Sequence, residues 1–432
     1  MKKITIGLFN DSFFPKSDGV LMVVDNYARK LSKFANVIVF VPKYKKKFDD
    51  SVFPYKVVRC KSLQINFIDY SLPLPDLDKK FKNILNNYSL DIVHIHSPFT
   101  MGSLGIRYAK KHNIPCIGTM HSQFKLDVYK YTHSKIVAKK VTDKLIKLFK
   151  KCDECWAVNK EVARIYHEDY GYPVMPKVMN NATDMLPVDK KEAYKVINEK
   201  YGLNDNEKVF LFVGRLNTLK NILFIVESLA KVREKDKNLK FKMLFVGAGP
   251  DEEKLINHIK KYNMEDKIII CGKVTDRYLL ECHYRRASLF LFPSIYDASS
   301  LVQIEAASQG IPTIFLKGTA TAATVTDNVN GFLSENSVDA YSDKIIDVLN
   351  DEKLYKKVSE NAVKDLYVTW DEKVKEVYDL YLKIIDERKS NKWFSFFVDI
   401  IFVSDIIIIE NKEVMEWIKY MYLDIGILIL IV

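Results

Sequence analysis

Cysteine is scarce in this chain, with six residues among 432 at irregular spacings. That excludes a disulfide-stapled secreted scaffold and fits a reducing cytoplasm. Glycine and proline number 15 and 13, which excludes collagen-like sequence and makes long disordered tracts an unlikely reading. No G-x-x-x-x-G-K-[ST] occurs, so the chain is not a P-loop NTPase. The eight His show no H-E-x-x-H or similar spacing. Cys152 and Cys155 form a single C-x-x-C without a second pair, so no metal site is expected and Cys155 reads as a small core residue. The basic, then apolar, N-terminus is broken by Asn10 and Asp11 and carries no small-residue cleavage site; it reads as a first strand rather than a signal peptide.

What is present is an ordinary globular composition, 48% apolar and 28% charged, long enough for two or three domains. The net charge of +11 is unevenly spread. Residues 1–185 hold 31 Lys or Arg against 17 Asp or Glu, and residues 186–432 hold 35 against 38. The positive excess belongs to the first half and suits an anionic surface, with a solvated Lys-rich exterior as the plainer alternative. Within it, residues 135–151 contain seven Lys and one Asp. Val137, Val141, Leu145, Leu148 and Phe149 share a helical face there. Such a helix can lie on anionic lipid, aided by Phe124, Tyr129 and Tyr131 just upstream, or can pack its apolar stripe on the core.

Short β-branched runs alternate with amphipathic helical patterns. Strands are expected at 3–9, 37–41, 92–96, 116–119, 154–157 and 178–179, with a helix over 20–34. A second series follows at 209–213, 242–246, 267–271, 289–292 and 313–315, with helices over 221–233 and 251–262. Two blocks of this kind, joined near 184–191, predict an α/β protein of two doubly wound, Rossmann-like domains facing a cleft. Ligands of such sheets bind beyond the carboxyl ends of the strands. There the chain offers Gly19 at a helix start, and Gly214-Arg215 with Lys220 before a helix, two cations suited to a diphosphate. It also offers a Gly247-x-Gly249 turn. In the segment 292–312, Asp297 falls in a loop and Glu305 in a helix. Ser299, Ser300 and Leu301 can turn backbone N–H groups toward an anion at that helix start.

Asp297, seven residues, Glu305, followed by Ala306-Ala307-Ser308-Gln309-Gly310-Ile311-Pro312, resembles the signature of the retaining family-4 glycosyltransferases of the two-domain GT-B fold. Gly214-Arg215-Leu216 with Lys220-Asn221 is similar to that family's phosphate-binding loop, and Val246–Pro250 to its next strand end. Asn180–Asp184 looks like its interdomain segment, and 91–97 and 118–121 like its acceptor-side strand ends. The resemblance covers roughly residues 1–386. It implies an acceptor-side domain over 1–185, a nucleotide-sugar domain over 186–370 and a closing helix over 371–390. Residues 391–432 form an apolar tail beyond it, which could be a membrane-associated hairpin, an oligomer contact or a non-native extension.

The resemblance further implies that Glu305 holds the ribose of a nucleotide sugar and Asp297 a sugar hydroxyl. Arg215 and Lys220 would neutralise the leaving diphosphate in place of a metal ion, so no obligatory cofactor is expected. His121 would lie near the sugar, and Gly19 would let its loop approach the donor. Gly247, Ser299, Ser300, Leu301 and Val302 complete the implied binding set. Asp297 is one methylene shorter than the family's usual Glu, Ser299-Ser300 replaces Phe-Gly, and Ala323 stands where a loop Glu is common. The implied reaction is retaining hexosyl transfer, from UDP-glucose as first expectation and GDP-mannose as second, to a membrane lipid such as diacylglycerol. The enzyme would sit peripherally on the cytoplasmic face of the plasma membrane. The alternatives are transfer to a soluble sugar or polysaccharide precursor, or a non-catalytic docking protein of the same fold; no RNA motif or zinc finger supports a nucleic-acid partner.

Overall fold

The computed structural model describes residues 3–16, 18–65, 70–295, 297–298 and 301–403, the last of these from 391 onward in backbone only. The first block of the chain forms β1 (Thr5–Phe9), β2 (Asn36–Pro42), β3 (Lys56–Cys60), β4 (Ser62–Ile65), β5 (Tyr70–Pro73), β6 (Ile92–Ile95), β7 (Cys116–Met120), β8 (Glu154–Ala157) and β9 (Lys177–Val178). Seven of these make one parallel sheet in the order β3-β2-β1-β6-β7-β8-β9, and β4 pairs with β5 in a separate antiparallel ribbon. The second block forms β10 (Lys208–Val213), β11 (Phe241–Val246), β12 (Ile268–Gly272), β13 (Leu289–Leu291), β14 (Thr313–Leu316) and β15 (Phe332–Ser334), a parallel sheet ordered β12-β11-β10-β13-β14-β15. This is the expected pair of doubly wound α/β sheets.

Helices cover both faces of a parallel sheet, so its central strands are apolar throughout. Val209, Phe210, Leu211 and Phe212 in β10 are fully buried, as are Val39 and Phe40 in β2. In each sheet the strand order reverses beside the first strand, at β1/β6 and at β10/β13. Those reversals open crevices at the carboxyl ends of the strands. Asn10, Asp11, His96 and Ser97 follow the first pair; Gly214 and the segment from Phe292 follow the second.

The chain crosses between the sheets twice, side by side. Thr183 N donates to Val368 O at 3.0 Å and Trp370 N to Thr183 O at 3.2 Å. The helix Trp370–Val403 then returns to the first sheet. Trp370 meets Tyr27 edge-on at 5.6 Å, Tyr381 stacks on Trp156 at 5.9 Å, and Asp371 pairs with Lys30 at 2.7 Å and Lys33 at 2.6 Å. This helix was expected to close at 390; it continues to Val403, because the run from Trp393 is as compatible with helix as the turns before it. Residues up to Leu382 form one compact unit, and the stretch of this helix from Lys383 belongs to a second. The second apolar run of the tail, 425–432, lies outside the described residues.

The basic helix forms over Lys135–Phe149, after a shorter one over Phe124–Thr132. Its buried face is Ala138, Thr142, Leu145, Ile146 and Phe149. Val137, on the expected apolar stripe, is exposed rather than packed on the core. Thr142 can take an inward position because its hydroxyl donates to Ala138 O at 2.8 Å within the same helix.

Candidate functional site

Arg215 and Lys220 are positioned by a loop whose geometry rests on glycine. After β10, Gly214 has φ +157° and Gly247, after β11, has φ +145°. A Cβ on Gly247 would sit 1.8 Å from Gly214 O. Gly247, expected as a binding residue, is thus accounted for by the crossing of the two loops. Beyond the crossing Arg215 is exposed and has no ion pair among the described residues. Asn217 Oδ1 accepts from Lys220 N at 3.1 Å, and Asn221 in the left-handed region (φ 60°) starts the helix Ile222–Lys235.

Lys220 was assigned to the diphosphate and Asp297 to the sugar; the structure joins them. Lys220 Nζ donates to Asp297 Oδ1, while Ser294 Oγ donates to Asp297 Oδ2 at 2.8 Å. The ammonium also lies 5.6 Å from the centre of the Phe292 ring. Asn221 Nδ2 reaches Pro293 O at 3.3 Å, which ties the cationic loop to the strand end after β13. An ammonium has three donors, so this pairing leaves two for an anion.

Glu305 lies on the helix Leu301–Ser308. Tyr284, fully buried on the helix Arg277–Arg286, donates its phenol to Glu305 Oε2 at 2.9 Å. Burial raises the Glu305 carboxyl above its ordinary range, while the Tyr284 bond and the Arg277 charge oppose that rise. Leu301 and Val302, half-buried, open the same helix. Ser299 and Ser300 lie outside the described residues.

On the facing sheet, Gly19 begins the helix Gly19–Leu31 behind Asp18, whose side chain accepts from Leu21 N at 2.8 Å. A Cβ on Gly19 would meet nothing within 4 Å, so the chain's own packing does not require glycine there. His121 follows β7 and its Nε2 lies 3.1 Å from His96 Nδ1. Burial pushes the His121 imidazole down to about 3, so it is neutral at physiological pH. Asp11, after β1, accepts from Ser97 Oγ at 2.6 Å and Met101 N at 3.0 Å. Burial pushes its carboxyl up to about 6 against those bonds.

Two contacts from one side chain join the domains. Asn159 Nδ2 donates to Ala298 O at 2.6 Å and to Ala320 O at 3.1 Å, while Asn159 Oδ1 caps the helix Lys160–Arg164 through Val162 N. Asn159, Tyr284 and Asp11 were not anticipated, since each acts through partners remote in sequence; Ser294 was not anticipated either, although Asp297 follows it by only three residues. Among the described residues no group of three or more His, Cys, Asp or Glu is arranged to hold a metal ion. Cys155 is buried, and Cys116 Sγ and Cys152 Sγ are 4.0 Å apart.

Two family profiles match the chain. One, described as Glycosyltransferase Family 4, covers residues 17–185, and the other, described as Glycosyl transferases group 1, covers residues 194–365. An alpha-monoglucosyldiacylglycerol synthase of Acholeplasma laidlawii is 28% identical over 415 residues, 90% of this chain and 99% of the relative. An enzyme of the same name from Streptococcus pneumoniae is 26% identical over 318 residues, 72% of this chain and 70% of the relative. Among solved structures, Anabaena HepE, crystallised with UDP-glucose, superimposes with a TM-score of 0.68 at 16% identity, over 87% of this chain and 99% of its own. Sucrose-phosphate synthase from Thermosynechococcus elongatus gives 0.70 at 19% identity, over 89% and 100%.

Proposed function

The chain belongs to glycosyltransferase family 4, in the GT-B fold, and from that premise we propose that it transfers glucose from UDP-glucose to diacylglycerol with retention at the anomeric carbon. The observation that supports the reading is the pairing of Lys220, in the loop after β10, with Asp297, after the neighbouring strand β13 and ahead of the helix that carries Glu305.

Charge on the leaving diphosphate grows as the anomeric C–O bond stretches. Arg215 and the two uncommitted donors of Lys220 meet that charge without a metal ion. Glu305 accepts from the ribose hydroxyls, its second oxygen held by the Tyr284 phenol. Asp297, steadied by Ser294 and Lys220, orients the sugar. The anomeric carbon leaves the phosphate oxygen and bonds to the acceptor hydroxyl on the same face. The acceptor proton passes to the departing phosphate, giving glucosyl lipid and UDP. No step needs a second carboxylate as nucleophile.

A lipid acceptor is supported by the two diacylglycerol-glucosylating relatives, one of them matched over 99% of its length, and by one surface. Leu126 (46% exposed), Tyr129 (41%), Ile136 (70%) and Val137 (41%) lie open on the two helices before β8. Exposed Lys135, Lys139, Lys140 and Lys144 surround the last two. Apolar side chains rimmed by lysine suit an anionic bilayer surface. No helix among the described residues is long and apolar enough to cross a membrane. The reading therefore has the protein resting on the cytoplasmic face of the plasma membrane through this surface.

The test is transfer of radiolabel from UDP-glucose, and separately from GDP-mannose, to diacylglycerol in anionic vesicles, counted in the organic phase. Label from UDP-glucose is expected. Label from GDP-mannose alone would overturn the donor, and label from either confined to the aqueous phase would overturn the lipid acceptor.

A further inference from the structure

The strands β6 and β7 are neighbours, with His94 opposite Ile117 and Ile95 opposite Gly118. Their ends carry three imidazoles in a stack. His94 lies over His96 with ring centres 4.1 Å apart, and His96 over His121 at 5.3 Å, each pair at 29°. His94 is satisfied at both nitrogens, by Tyr381 OH at 2.5 Å and Thr119 Oγ1 at 2.6 Å. His96 is different. Its Nδ1 faces His121 Nε2 at 3.1 Å, but its Nε2 is buried without a partner among the described residues.

We propose that His96 is a positioning residue: it donates from Nδ1 to His121 Nε2 and so fixes His121 in the tautomer that carries its proton on Nδ1. His121 then offers the cleft a neutral N–H donor, suited to an oxygen of the transferred sugar. The assignment of the cleft as the sugar site rests on the reading above; the tautomer itself does not.

The argument is one of accounting. A neutral imidazole has one donor and one acceptor nitrogen. Were the proton of His96 on Nε2, a buried N–H would be orphaned, which native structures rarely tolerate; an unpaired acceptor lone pair costs less. The proton therefore belongs on Nδ1, where it has a partner. His121 Nε2 must then accept, and its own proton moves to Nδ1. Burial lowers all three imidazoles, and the charges of the neighbouring rings lower His94 and His96 further, so none supplies a second proton at neutral pH. The imidazole of a solvent-exposed histidine side chain prefers its proton on Nε2. His96 thus imposes on His121 the tautomer it would adopt less often alone.

The test reads the tautomer directly, by two-bond proton–nitrogen correlation spectra of the full chain labelled with nitrogen-15 histidine. His121 is assigned as the signal missing in His121→Asn. The expected result is His121 protonated on Nδ1 in the unmodified protein and shifted toward Nε2 in His96→Leu, with His96→Gln, which keeps an amide donor, restoring it. His121 protonated on Nε2 in the unmodified protein would overturn the proposal, and so would a folded His96→Leu with His121 unchanged. The unmodified spectrum decides even where His96→Leu does not fold, and it needs no substrate, so its outcome is separate from that of the transfer assay. In that assay, kcat/KM should fall by about tenfold in His96→Leu, the worth of one hydrogen bond, and recover in His96→Gln. Loss of His96 should add nothing in a His121→Ala background.

Discussion

Asn159 in the first domain donates to the carbonyl of Ala298 in the second, at 2.6 Å, one residue after Asp297. A single side chain thereby caps its own helix and latches the two domains. Asn159→Asp keeps the cap and removes the donors, so it separates these roles. It should raise the donor KM by about tenfold while helix content stays unchanged, because the half-buried Ala298 carbonyl and the buried Ala320 carbonyl lose a partner beside the site. Steady-state kinetics with circular dichroism checks this; an unaltered KM would show that the latch does not govern donor binding.

Glu305→Ala should abolish transfer, by about a hundredfold or more in kcat/KM, with the fold retained. Tyr284→Phe should be milder, about tenfold, since it removes only the phenol that steadies one carboxylate oxygen. The two changes combined should be no worse than Glu305→Ala alone. Additive losses would place Tyr284 in some other task.

The pH dependence of stability has a defined sign at Asp11. Its carboxyl is raised from 3.8 to about 6 in the folded chain, so the folded state holds the proton more tightly than the unfolded. The stability this gives is present below pH 3.8 and is lost as pH rises through about 6. Asp11→Asn keeps an acceptor for Met101 N and cannot ionise. Its stability relative to the parent should therefore improve between pH 4 and 7, by on the order of 3 kcal/mol. Urea midpoints at the two pH values measure it.

His121, lowered to about 3, is neutral throughout the working range. The pH–rate profile should show no inflection near 6.5 that His121→Asn removes. Chelation with EDTA should leave the rate unchanged, because Arg215 and Lys220 carry the charge of the leaving group. A strict requirement for added Mg²⁺ or Mn²⁺ would contradict that division of labour.

Ile136→Asp with Val137→Asp should release the protein from vesicles containing anionic lipid, while activity on a solubilised acceptor persists. Neutralising Lys139, Lys140, Lys144 and Lys147 should weaken vesicle binding and flatten its salt dependence, each lysine contributing on the order of 1 kcal/mol. Sedimentation with vesicles checks both.

Much of the fold was legible because buried parallel strands are apolar runs. The expected strands at 154–157, 209–213 and 242–246 lie within a residue of β8, β10 and β11. β3 escaped notice because, at the sheet edge, it carries Lys56 and Arg59. Arg215, Lys220, Asp297 and Glu305 could be read because each sits in a short local motif. What the sequence could not provide was the joining of Lys220 to Asp297, or of His96 to His121. The first is a meeting of loops whose strands, β10 and β13, are neighbours in the sheet but not in the chain, and the second depends on the side-by-side pairing of β6 and β7 across the helix between them.

The paired crossings at Thr183 and Trp370 make the first domain discontinuous in sequence. Its core is completed by Trp370 and Tyr381, residues encoded after the entire second domain, so that Tyr27 and Trp156 lack these partners until the second domain has been synthesised. A fragment cut at the linker would leave that aromatic face bare and prone to aggregate. The second domain, entering and leaving at adjacent points, is the part that can be excised or exchanged as a cassette.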